Sequence, residues 1–92
     1  MPSSALLHKA LGDVALSQGR YEQALAEFQT AQKLDPADVE ASFNVGSSLR
    51  RLGRFEEAWT VFEEVAKLDG ELPGLPLERG LLLEQSGRSD EA

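Results

Sequence analysis

Residues 11–35, LGDVALSQGRYEQALAEFQTAQKLD, return 34 positions later as residues 45–69, VGSSLRRLGRFEEAWTVFEEVAKLD. Gly12/Gly46, Gly19/Gly53, Arg20/Arg54, Glu22/Glu56, Ala24/Ala58, Phe28/Phe62, Lys33/Lys67, Leu34/Leu68 and Asp35/Asp69 all keep this phase, and Gly80, Gly87, Arg88, Asp90 and Ala92 carry it into a third copy. Self-similarity at about 20 to 50 residues points to stacked units that share their apolar faces, so the chain escapes part of the limit that a short sequence sets on its core.

Each copy divides at its second glycine. Leu7, Leu11, Val14 and Ala15 fall at helical spacing between Ala5 and Gln18, and Gly19-Arg20 breaks the pattern. Leu25, Phe28, Ala31 and Leu34 form the stripe of a second helix, Tyr21 to Leu34, which Asp35-Pro36 closes. Asp38 is placed to cap a third helix ending at Leu52, and Phe55 to Leu68 forms a fourth. A fifth runs from Leu75 or Pro76 to Ser86, and Ser89 to Ala92 opens a sixth that is too short to hold a helix, so fraying is expected there. The resulting division is a leader at 1–4, one unit at 5–38, another at 39–72, and a truncated third at 73–92 holding only its first helix. Short connectors make neighbouring helices antiparallel, giving an all-α row of hairpins.

Composition narrows the function. Sixteen acidic against nine basic residues leave a formal charge of −7, which disfavours nucleic acid and anionic membranes as partners. There is no cysteine, hence no disulfide frame and no thiolate metal site. No signal-peptide pattern precedes the first helix, and no apolar run approaches a membrane span, so the expected compartment is the cytoplasm. His8, the single histidine, reads as a partly buried spacer. Adjacent carboxylates such as Glu56-Glu57 and Glu63-Glu64 point apart on a helix and form no cation site. The paired aromatics Tyr21/Phe55 and Phe28/Phe62 read as core between hairpins. No catalytic residue, cofactor or metal is expected.

Gly12, Gly46 and Gly80 lie inside helices, where glycine costs about 1 kcal/mol against alanine. A close approach of paired helices, with Ala24 and Ala58 facing, accounts for the recurrence. The pattern Leu11-Gly12, Ala15, Ala24, Phe28, Pro36, repeated as Val45-Gly46, Leu49, Ala58, Phe62 and resumed at Arg79-Gly80, Leu83, resembles the tetratricopeptide repeat. The likeness covers Ala5 to Ala92. It departs from the family's pattern at His8, Ser42 and Pro76, where a large aromatic is usual, at Gly70, where proline is usual, and at Arg79, which replaces an apolar residue.

The resemblance implies a right-handed α-solenoid, a protein-interaction scaffold whose inner groove is lined by the first helix of each unit. In this sequence that lining would be Leu6, Lys9 and Asp13, then Phe43, Asn44, Ser47, Arg50 and Arg51, then Leu77, Glu78 and Leu81. Phe43 beside Arg50 and Arg51 is expected to offer an apolar patch edged by charge. The clamp by which some relatives hold acidic chaperone tails would need basic or amide groups at Lys9, Asp13, Asn44, Gly74 and Glu78; Asp13 and Glu78 would repel a carboxylate. A ligand with both signs of charge, or an apolar anchor, fits this lining better. Two other readings stand beside this one: a regulatory or targeting arm of a larger enzyme, and self-association through the third unit, where Leu81, Leu82 and Leu83 lack a covering helix.

Overall fold

The computed structural model describes residues 2–87. It contains five helices in antiparallel succession: α1 (Pro2–Ser17), α2 (Tyr21–Leu34), α3 (Val39–Arg51), α4 (Phe55–Leu68) and α5 (Leu75–Ser86). The molecule measures 43 × 27 × 18 Å, the proportions of a row of hairpins. Helix α1 begins three residues earlier than its apolar spacing indicates, taking in part of the expected leader. The expected fraying of Ser89 to Ala92 lies outside the described residues. No helix among the described residues is long and apolar enough to cross a membrane.

The hairpin turns follow one local rule. Gly19 and Gly53 take φ of +76° and +81°, a region costly for residues with a Cβ. Behind them Arg20 N donates to Ala15 O and Arg54 N to Leu49 O, both at 2.9 Å, and Gly19 N and Gly53 N donate to the carbonyls three residues back. This double closure is the Schellman arrangement, and it satisfies carbonyls that the helix end leaves free. Asp38 caps α3 as its position suggests, its Oδ1 accepting from Ala41 N at 3.3 Å.

Phe28 and Phe62, both fully buried, stand at the centre of the two hairpins. A Cβ added to Gly12 would lie 2.6 Å from the Phe28 ring, and one added to Gly46 would lie 2.7 Å from the Phe62 ring. The glycines therefore make room for phenylalanine rings, which corrects the expected pairing with Ala24 and Ala58. Nothing lies within 4 Å of a Cβ at Gly80, so the third recurrence has no such contact among the described residues.

Between units, α3 packs on α2 with Ala41, Val45 and Ser48 buried, and α5 packs on α4 with Leu75 and Leu82 buried. Leu82 thus belongs to the core, against the expectation of an uncovered Leu81-Leu82-Leu83 run. Arg79, on the same face, places its guanidinium 5.4 Å from the centre of the Trp59 ring, so the charge that replaces an apolar residue rests on an aromatic surface. His8 joins α1 to α2, its Nδ1 2.7 Å from Glu27 Oε1.

Candidate interaction groove

Helix α3 carries the middle of the face that α1, α3 and α5 share. Glu40, Asn44, Ser47 and Arg51 recur along it at three- and four-residue steps, which places them on one stripe. Two depressions bracket that stripe. Asp13, Glu40, Phe43, Asn44, Leu72 and Pro73 line one of about 290 Å³. Tyr21, Arg50, Arg51, Gly53, Phe55, Leu81 and Gln85 line the other, about 610 Å³.

Most of the expected groove cations are already engaged. Lys9 Nζ lies 2.8 Å from Asp38 Oδ2 and 3.6 Å from Glu40 Oε1, tying α1 to the first turn of α3. The hydrogen bond to Asp38 raises the Lys9 pKa despite partial burial. Burial pulls the Asp38 carboxyl upward, yet the bonds from Lys9 and from Ala41 N outweigh it and leave that pKa lowered. Arg50 is 6% exposed. Its Nε and Nη2 donate to the Glu78 carboxylate at 2.8 and 3.3 Å, and its Nη1 donates to Gln85 Oε1 at 2.9 Å. Arg50 and Glu78 therefore brace α3 against α5, where the family resemblance implied that both line the groove.

The remaining expected residues divide. Ser47 is buried, and Phe43 is half-buried with its ring centre 5.8 Å from that of Phe62. Phe43 thus supports the core as well as one depression, so the expected exposed patch beside Arg50 is not formed. Leu6 and Leu77 are exposed at 65% and 66%, while Leu81 is half-buried in the larger depression. Asp13 is exposed at the acidic end; desolvation and then the neighbouring Glu40 raise its pKa, opposed by Lys9. Arg51 is exposed, with its guanidinium 5.6 Å from the centre of the Tyr21 ring.

The lining implied by the resemblance did not include Tyr21, Phe55 or Gln85, nor Glu40, Leu72 or Pro73. Tyr21 and Phe55 open the second helices and were expected in the core; both are half-buried and line the depression with one edge. Leu72 and Pro73 come from the connector, whose path no periodic signal describes.

A family model described as "Tetratricopeptide repeat" matches residues 9–76. No curated protein matches the sequence. Among solved structures, the TPR domain of Arabidopsis OM64 superposes with a TM-score of 0.89 at 21% identity, covering 98% of this chain and 74% of that one. At that identity the likeness concerns the fold.

Proposed function

The chain belongs to the tetratricopeptide repeat family of protein-interaction modules, and from that premise we propose that it binds a peptide or partner helix of mixed charge along the α1/α3/α5 face. The observation that carries this reading is the opposition of charge along the face, with Asp13 of α1 and Glu40 of α3 at one depression and Arg51 of α3, beside Tyr21 and Phe55, at the other. Eleven helical steps separate Glu40 from Arg51, a span of about 16 Å. An extended peptide rises about 3.3 Å per residue, so the partner carries its basic and acidic groups about five residues apart. An apolar side chain between Tyr21, Phe55 and Leu81 anchors the acidic end. The module acts as a scaffold, in keeping with a family that is generally non-catalytic.

Fluorescence polarisation tests this with labelled peptides that carry one lysine and one carboxylate separated by five residues and a leucine. The mixed-charge peptide binds, and the all-acidic and all-basic versions bind at least tenfold more weakly. Arg51→Ala weakens the mixed peptide by a similar factor, and added salt weakens it further. Equal binding of the all-acidic peptide, or an unchanged affinity for Arg51→Ala, overturns the assignment.

A further inference from the structure

Among the described residues, one apolar face has no covering helix. Leu7, Leu11 and Val14 stand 56%, 41% and 53% exposed. Shifted by one unit they become Ala41, Val45 and Ser48, which are 0%, 4% and 0% exposed where α3 rests on α2. Shifted by two, they become Leu75, Arg79 and Leu82, the face by which α5 rests on α4. The outer stripe of α1 is thus continuous in register with an interface that the fold builds twice.

We propose that this stripe pairs with the same stripe of a second copy of the chain, the two α1 helices lying antiparallel about a two-fold axis near Ala10 and Leu11. Charge favours like meeting like here. The stripe Leu7, Ala10, Leu11, Val14 and Gln18 carries no ionised group, although the chain has a formal charge of −7. By contrast α4 exposes Glu56, Glu57, Glu63 and Glu64. Among the described residues the faces that receive a following unit are already occupied, that of α2 by α3 and that of α4 by α5. A two-fold arrangement needs only a self-complementary patch. It sets Leu7 against Val14 of the partner and Leu11 near its own counterpart, and exposed Ala10 leaves room for close approach.

The contact is small. A 16-residue helix is about 24 Å long and presents less than the roughly 800 Å² per partner of a stable interface, so the pairing depends on concentration. Sedimentation is expected to show the mass rising from 10.0 kDa toward twice that value between about 10 µM and 1 mM. Leu11→Glu holds the chain monomeric over that range with unchanged helical circular dichroism, and leaves peptide binding through Arg51 intact. The absence of cysteine permits a geometric test: Leu11→Cys forms a covalent dimer on mild oxidation at least tenfold faster than Leu77→Cys, although Leu77 is the more exposed of the two positions. A constant mass up to 1 mM overturns the proposal and leaves the stripe to a different helix. Equal cross-linking at both positions overturns it as well, as does a Leu11→Glu chain that still dimerises.

Discussion

Arg50 and Glu78 join α3 to α5 through two hydrogen bonds, Nε to Oε1 at 2.8 Å and Nη2 to Oε2 at 3.3 Å, with both side chains largely withdrawn from water. Few other contacts hold α5 so directly to the helix it parallels, because its main packing is against α4.

Glu78→Ala is therefore expected to cost about 3 kcal/mol, since it strands a buried guanidinium with only Gln85 as partner. In an array of neighbour-coupled units the damage falls first on the end unit. Urea unfolding measures the total, and hydrogen exchange should show α5 opening before α1 to α4. Replacing both residues by leucine should recover much of the loss. An unchanged midpoint for Glu78→Ala would mean that the pair is solvated in solution.

Gly46→Ala and Gly80→Ala are expected to move stability in opposite directions. A methyl at Gly46 would meet the buried Phe62 ring at 2.7 Å, and overpacking of that kind costs about 1 to 3 kcal/mol. A methyl at Gly80 meets nothing within 4 Å and gains the helix preference of alanine, about 1 kcal/mol. Thermal unfolding of the two variants decides the point. The same sign for both would show that the ring contact at Gly46, absent at Gly80 among the described residues, does not decide the outcome.

Hairpin count, turn positions and the helix cap at Asp38 were legible because each follows from a local requirement: positive φ at Gly19 and Gly53, or an oxygen placed three residues before Ala41. Side-chain partners were less legible. Periodicity shows that Leu7, Leu11 and Val14 share a face, and it is silent on whether a neighbour covers that face. Arg50 follows the same logic, since its partner lies 28 residues away on another helix and no spacing within α3 reveals the pairing. Recurrence places Tyr21 and Phe55 in the core, but it does not separate a fully enclosed ring from one with an edge in a depression.

The Lys9–Asp38 pair sets a pH dependence at both extremes. Asp38 has a lowered folded pKa, so its contribution is present above the ordinary carboxylate value near 3.8 and is lost as pH falls through the lower folded value. Lys9 has a raised folded pKa, so its contribution is complete below about 10.5 and is lost as pH rises through the higher folded value. Asp13 runs the other way from Asp38: its raised pKa makes deprotonation unfavourable to the fold, and acidification toward that pKa relieves the strain. Asp38→Asn keeps an oxygen for the Ala41 cap and removes the charge. Its melting temperature is expected to lie below that of the parent at neutral pH, with the gap closing below about pH 4. A gap that persists at pH 2 would assign the effect to the cap.

Arg79 offers a readout confined to one interface, because Trp59 is the only tryptophan in the chain. With the guanidinium 5.4 Å from the ring centre, cation–π attraction of about 0.5 to 1 kcal/mol adds to the contact that the side-chain stem makes on α4. Arg79→Ala loses both and should lower stability by about 1 kcal/mol while exposing Trp59, which shifts its emission to longer wavelength. Arg79→Leu restores apolar cover at the position where Val45 serves the preceding unit, so it should recover most of the stability and shift the emission back. Emission and midpoint unchanged in Arg79→Ala would show that the arginine leaves the ring in solution, and α5 would then depend on Leu75, Leu82 and the Arg50–Glu78 brace alone.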